Sequence, residues 1–243
     1  MNFPFLQGRV VAFDTETSGL RPHLGDTMFG VSVAMDDFSE YWDVRRTPQV
    51  LEWLRDELPK AKLLIAHNAK FDMAFLRKNG VVLLDTPIHD TLTTDCLIYE
   101  HHLTYDLDSV AKRRLGSGKA GDMIEEWRIR GGYKSKKEAM ANLQLAPFDL
   151  VRPYAKRDAE LLLPDYESQM RDIEAQDLYK VYRLECDLVP VLHDMEFGGV
   201  RCDAEAAHTP RTPLSRAGCP ARGCSRLQDG RCARRWRAPM RGC

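Results

Sequence analysis

Four acidic residues and a tyrosine, carried by three separate segments, hold the chemistry that this chain could perform. Asp14 and Glu16 stand in VVAFDTETSGL, Asp72 in LLIAHNAKFDMAFL, and Tyr154 with Asp158 in PYAKRDAELL. The secondary structure predicted for each segment aims its carboxylate at one shared point. Carboxylates gathered without cations repel one another and are costly to desolvate. An oxygen-only cluster of that kind is what hard divalent cations such as Mg²⁺ need. Two such ions side by side are suited to phosphodiester cleavage.

No single segment carries this reading. Asp14 and Glu16 lie two apart at the end of a strand, so they share a face, yet alone they read as a pair of surface acids. Asp72 falls in the first turn of a helix, where any acid is favoured by the helix dipole. Phe71, Phe75 and Leu76 turn that helix inward and bring Asp72 to the edge of the sheet. Tyr154 and Asp158 are four apart on one helical face; alone they read as a core tyrosine beside an acid paired with Lys156 or Arg157. The signal is in the combination.

Together the segments resemble the three exonuclease motifs of the DEDD superfamily, in its tyrosine-bearing branch. The nearest likeness is to the proofreading domain of family A DNA polymerases, the DNA polymerase I type, and it extends over residues 8–200. The resemblance implies an α/β, ribonuclease-H-like fold with a five-stranded mixed sheet flanked by helices. It implies that Asp14, Glu16 and Asp158 hold one Mg²⁺ or Mn²⁺ ion, and that Asp14 bridges to a second ion near Asp72. Thr17, Leu20 and Asn68 fall where such enzymes contact the 3′-terminal nucleotide, Leu20 as a wedge against bases. His67 and Phe71 fall as supporting residues. A tyrosine of ordinary pKa near ~10 orients water at neutral pH rather than acting as a base, which is the part expected of Tyr154.

The expected activity is metal-dependent 3′→5′ release of nucleoside 5′-monophosphates from single-stranded or frayed DNA ends. An exoribonuclease of the RNase D kind shares the motif set. A folded, non-catalytic DNA-end-binding fragment is a reading from another class. Residues 187–203, DLVPVLHDMEFGGVRCD, resemble the segment that enters the polymerase region of family A enzymes, and the match stops there. The expectation is therefore a truncated polymerase, with the polymerase or replication machinery as a partner, in the cytoplasm of a bacterium or a phage-infected cell. GSGKA at 116–120 lacks the upstream glycine and following Ser/Thr of a phosphate-binding loop. His101 and His102 read as a helix end.

Several elements must position these residues. Arg9–Phe13 is an apolar run ending at the acidic pair, Phe29, Val31, Val33 and Met35 alternate with period two, and Glu40–Val44 follows a turn. Helices are predicted over Val50–Leu58 and Lys70–Asn79, with a buried strand at Lys62–Ala66 between them. Pro87–Asp90 reads as a fifth strand leading into a helix through His101, and Asp106 as the cap of the next helix, before Gly116. Residues 116–134 read as a mobile loop, Ser135–Leu143 as a helix, and a longer helical region starts at Pro153, to be kinked or divided by Pro164.

The 243 residues, 44% of them hydrophobic, can bury a substantial core. No apolar run is long enough for a membrane span, and the start MNFPFLQGRVV shows no secretory pattern. Net charge near zero hides two unlike parts: nine arginines face three acids in 203–243, leaving 26 basic and 33 acidic residues in 1–202. The body is thus no basic nucleic-acid surface, and binding must rely on a local groove and metals. Only Cys96 and Cys186 precede residue 200, as a reducing compartment predicts. The expected partition is 1–180 exonuclease, 181–202 connection towards a polymerase region, and 203–243 a non-native or frameshifted, disordered tail. The alternative for that tail is a zinc site from Cys219, Cys224, Cys232 and Cys243, without a C-x₂-C pair.

Overall fold

The strand carrying Asp14 and Glu16 is longer than the apolar run that announces it. In the computed structural model, which describes residues 3–118 and 121–203, β1 (Val10–Thr17) continues through both acids. It lies at the centre of a five-stranded sheet. β2 (Met28–Met35) pairs antiparallel on one side and is followed outward by β3 (Phe38–Asp43). β4 (Leu63–Ala66) and then β5 (Ile88–Asp90) pair parallel on the other. All eight residues of β2 are buried, so its alternation marks two covered faces rather than one wet face.

Helices cover both faces. Odd-numbered β1 residues Val11 and Phe13 pack with Trp53 and Leu54 of α1 (Gln49–Glu57) and with Met73, Phe75 and Leu76 of α2 (Ala69–Lys78). Even-numbered Ala12, with Ala34 and Ile65, packs against Ala159 and Leu162 of α7 (Phe148–Ala175). Between these come α3 (Thr91–Ile98), α4 (Leu107–Leu115), α5 (Gly121–Arg130) and α6 (Lys136–Ala141). Asp106 caps α4 by accepting from Ser109 N, as its sequence context predicts.

Three sequence expectations are corrected. α3 stops at Ile98, because Tyr99 is extended (φ −156°, ψ 102°) and the helix does not reach His101. The stretch 116–134 is not simply a loop: it contains α5, whose Ile124 and Trp127 bury into a cluster with Tyr41, Leu150 and Tyr154. Trp127 Nε1 donates to Ala139 O at 3.1 Å. The long helix begins at Phe148, five residues before Pro153, and Pro164 does not divide it. A mid-helix proline costs ~3 kcal/mol; burial of Leu161 and Leu162 just before it works against this cost.

The final helix, α8 (Tyr179–Gly198), belongs to the same compact unit, which ends at Gly199. Val189 enters the main core, while Tyr182 and Cys186 pack beneath Ile173. Its last turns are clasped to α2 from outside. Lys70 Nζ meets Glu196 Oε1 at 2.6 Å, Arg77 Nη1 meets Asp194 Oδ1 at 2.7 Å, and the Arg77 guanidinium lies 4.4 Å from the Phe197 ring centre. Residues 204–243, and with them the expected tail and its zinc alternative, lie outside the described residues, as do two residues of the GSGKA stretch. Among the described residues no helix is long and apolar enough to cross a membrane.

A buried polar chain ties β5 to α7 and α8. His89 Nδ1 bonds the Tyr182 hydroxyl at 3.0 Å, His89 Nε2 bonds Gln169 Oε1 at 2.8 Å, and Gln169 Nε2 donates to Thr91 O. Burial pulls the imidazole down from its ordinary 6.5 to about 4. The unfolded chain therefore takes up this proton below pH ~6.5 while the folded chain refuses it until pH ~4. Stability must fall as pH drops through that window, by about 3 kcal/mol at most. Thermal melts of wild type and His89→Asn between pH 7 and 4.5 check this: the wild type should show the steeper acid loss, and parallel curves would refute it.

Candidate active site

The topology explains why the acids meet. β1 and β4 are parallel, so the end of β1 that bears the acidic pair lies beside the turn from β4 into α2. In open α/β sheets this carboxyl edge of the strands is where ligands bind. Even-numbered Asp14 and Glu16 share the face of Ala12, which is the face covered by α7. On α7 the inward positions Val151, Tyr154, Ala155, Asp158, Ala159 and Leu162 repeat at helical spacing. The small Ala155 and Ala159 let this helix approach the sheet, and both are fully buried.

The result is a carboxylate cluster: oxygens of Asp14, Glu16 and Asp158 lie within 4.8 Å of one another. Asp14 is half-buried, Glu16 is buried and Asp158 is 1% exposed. Like charges this close and this dry oppose one another strongly. An all-oxygen donor set of this size fits a hard divalent cation.

Asp72 is not among those three, but it adjoins them through Thr15, the residue between Asp14 and Glu16. Its Oδ1 accepts from Thr15 N at 3.0 Å and from Thr15 Oγ1 at 2.5 Å. Asp72 is buried in the first turn of α2. Burial, and after it the charge of Asp14, push its carboxyl well above the ordinary carboxylate range, while the two Thr15 bonds pull the other way. Tyr154 is buried one helical turn before Asp158, and Glu16 faces Gly30 across the ladder. A side chain at Gly30 would collide with the Tyr41 ring, so the glycine lets Tyr41 lie close to this end of the sheet.

Of the three residues expected to meet a nucleotide, two share a groove. Leu20, 78% exposed, and Asn68 line a hollow of about 320 Å³ with Phe71, His193 and Phe197. Thr17 is not in its lining; its hydroxyl donates to Gly19 O at 2.8 Å. His67 bonds Thr91 Oγ1 through Nδ1 at 2.8 Å. Asn68 is left-handed (φ 64°), and its side chain makes no capping bond to α2.

Residues 4–174 match a family model described as a 3′-5′ exonuclease. The chain belongs to that family. Its type is the one found in family A DNA polymerases. The chain is similar to the DNA polymerase DpoZ of Salmonella phage PMBT28, at 40% identity over 209 residues, covering 85% of this chain and 33% of the relative. It is similar to the DpoZ polymerase of Acinetobacter phage SH-Ab 15497, at 37% identity, covering 89% of this chain and 35% of the relative. It thus spans about a third of the length of these curated relatives. Among solved structures, Brucella melitensis NrnC superposes with a TM-score of 0.60 at 20% identity, covering 80% of this chain and 88% of that one. That likeness concerns the fold, and the ribonuclease-H-like architecture expected from the sequence is the one observed. NrnC has also been solved with bound Mg²⁺ and bound to pGG.

In this exonuclease, sequence reasoning missed two residues that hold the site together. Thr15 stands inside the first motif and orients Asp72, 57 positions away. Asp90 ends β5 and binds backbone groups at the start of both α2 and α3. An acid between a short strand and a helix is a visible capping signal for α3 alone.

Proposed function

We propose that this exonuclease removes nucleoside 5′-monophosphates from the 3′ ends of single-stranded or frayed DNA, using two divalent ions, as the proofreading-type part of a family A polymerase. The observation that carries the reading is the cluster of Asp14, Glu16 and Asp158 with Asp72 tethered beside it. In this reading Asp14, Glu16 and Asp158 hold one Mg²⁺ or Mn²⁺ ion, and Asp14 and Asp72 hold the second. When bound, the pair supplies an activated water and charge stabilisation for the departing 3′ oxygen.

The protein's own groups do the rest. Thr15 fixes one oxygen of Asp72, leaving the other for a ligand. Tyr154, one turn from Asp158, orients the attacking water with its hydroxyl. Leu20 wedges against the terminal bases, and Asn68 and Thr17 contact the terminal nucleotide. The groove by Leu20 and Phe71 supplies stacking surface, which tolerates any base. The DNA assignment is supported by relatives that are DNA polymerases. The same reading assigns 1–180 to the exonuclease, 181–202 to a connection towards a polymerase region, and 203–243 to a non-native or frameshifted extension; sequencing the gene across codon 203 tests the last.

The experiment is a gel assay on 5′-labelled single-stranded DNA and RNA of one sequence, with Mg²⁺, Mn²⁺ or EDTA. A metal-dependent ladder on DNA is the expected result. A ladder on RNA alone would move the activity to the exoribonuclease branch, and a folded sample that cuts neither would overturn the reading.

A further inference from the structure

We propose that Asp90 is a positioning residue of the exonuclease, whose one carboxylate sets the start of α2 and thereby the placement of Asn68 and Asp72. This rests on the reading above, in which Asn68 faces the nucleotide and Asp72 a metal.

A helix begins with backbone N–H groups that have no partner in the helix, and a local Ser, Thr, Asp or Asn side chain usually accepts from them. At α2 the local candidate is Asn68, and it gives no such bond. The acceptor comes from another strand. Asp90 Oδ1 takes Asn68 N at 3.0 Å, and Asp90 Oδ2 takes Ala69 N at 3.0 Å. The same Oδ1 takes Leu92 N at 3.0 Å and Thr93 N at 3.4 Å at the start of α3. One carboxylate, 3% exposed, thus caps two helices.

Sheet register puts it there. Ala66, at the end of β4, is the register partner of Asp90. Thr91 straps the same junction, bonding His67 Nδ1 and donating to Ala66 O. Two consequences follow for the site. Asn68 is held in a left-handed conformation, which asparagine tolerates better than most non-glycine residues, and its carboxamide is not consumed as a cap. Asp72 follows in the first turn of the same helix, so a tilt of α2's start moves it directly. Displacements of about 1 Å at a reacting centre can cost ~100-fold in rate.

The test is Asp90→Asn, equal in size but with an amide donor where one of the acceptors stood. Activity is titrated with Mg²⁺, and KM is measured for a single-stranded oligonucleotide. The expected result is a fall in kcat of roughly 10- to 100-fold, with severalfold rises in the Mg²⁺ half-saturation point and in KM. The control is Asp106→Ala, which removes the side-chain cap of α4. It should lower Tm while leaving both half-saturation points where they were. If Asp90→Asn lowers activity only in step with its folded fraction, as that control does, the proposal is overturned. Asp90→Ser, which keeps one acceptor, replaces it should the first variant unfold, and if both unfold Asp90 is structural and the proposal falls. Wild-type protein and Asp72→Ala run alongside: a wild type that does not cleave, or an Asp72→Ala that does, sinks the underlying site assignment instead.

Discussion

Asp158→Ala should abolish cleavage while leaving the fold intact. A loss of about a thousandfold or more, equivalent to ~4 kcal/mol of transition-state stabilisation, is the expected scale. The reason is geometric: Asp158 is the member of the cluster contributed by α7, and without it Asp14 and Glu16 alone remain as near oxygen ligands on that side. The fold should tolerate the change better than most buried substitutions. The side chain removed is a charge held within 4.8 Å of two like charges, so part of the cavity cost is offset by relieved repulsion. Asp158→Asn, which leaves no cavity, should melt at or above the wild-type temperature in EDTA. Single-turnover rates together with circular-dichroism melts make the test. Near-wild-type turnover by either variant would refute the assignment, and so would global unfolding of both.

The second large effect concerns the metal and stability. Three crowded carboxylates are an energetic burden to the apo protein, and an ion that binds only the folded state repays it. At Mg²⁺ about 100-fold above its Kd, the gain is ~2.7 kcal/mol. For a folded unit of this size each kcal/mol moves Tm by ~2–4 °C, so the transition should rise by about 5–10 °C between EDTA and saturating Mg²⁺. Asp14→Asn should lose most of that rise, since Asp14 belongs to the cluster and also sits beside Asp72. Scanning calorimetry across a Mg²⁺ series measures it. A wild-type Tm indifferent to metal, in protein that cleaves only with metal, would place binding on the DNA complex rather than on the protein alone.

What was legible in the sequence was local. The alternation of β2, the apolar run of β1, and the β4-to-α2 passage could be read because burial imposes a short-range period. The five motif residues stand out through their order, and the structure gathers three of them, Asp14, Glu16 and Asp158, into one cluster. α5 was not, because only Ile124 and Trp127 mark its inner face and glycines and lysines border it; contacts from Tyr41 and Leu150 hold it. Pro153 read as a helix start because a proline there has no intrahelical bond to lose, yet helical packing reaches back to Phe148. The Asp72 tether and the Asp90 cap join residues 57 and 21–22 positions apart, which no local pattern encodes.

The clasp between α2 and the last turns of α8 has a consequence for how this molecule breathes. Its members, Lys70 with Glu196 and Arg77 with Asp194, lie at the surface, where ion pairs are weak and weaken further as salt is raised. The earlier turns are pinned differently, by buried Tyr182, Cys186 and Val189. One continuous helix therefore carries two opening energies, and its amides should exchange with deuterium in two populations. Raising the ionic strength should speed the exchange of residues near Glu196 and leave those near Tyr182 slow. Because His193 and Phe197 also wall the groove beside Leu20, an opening of this helix end would displace one rim of that groove.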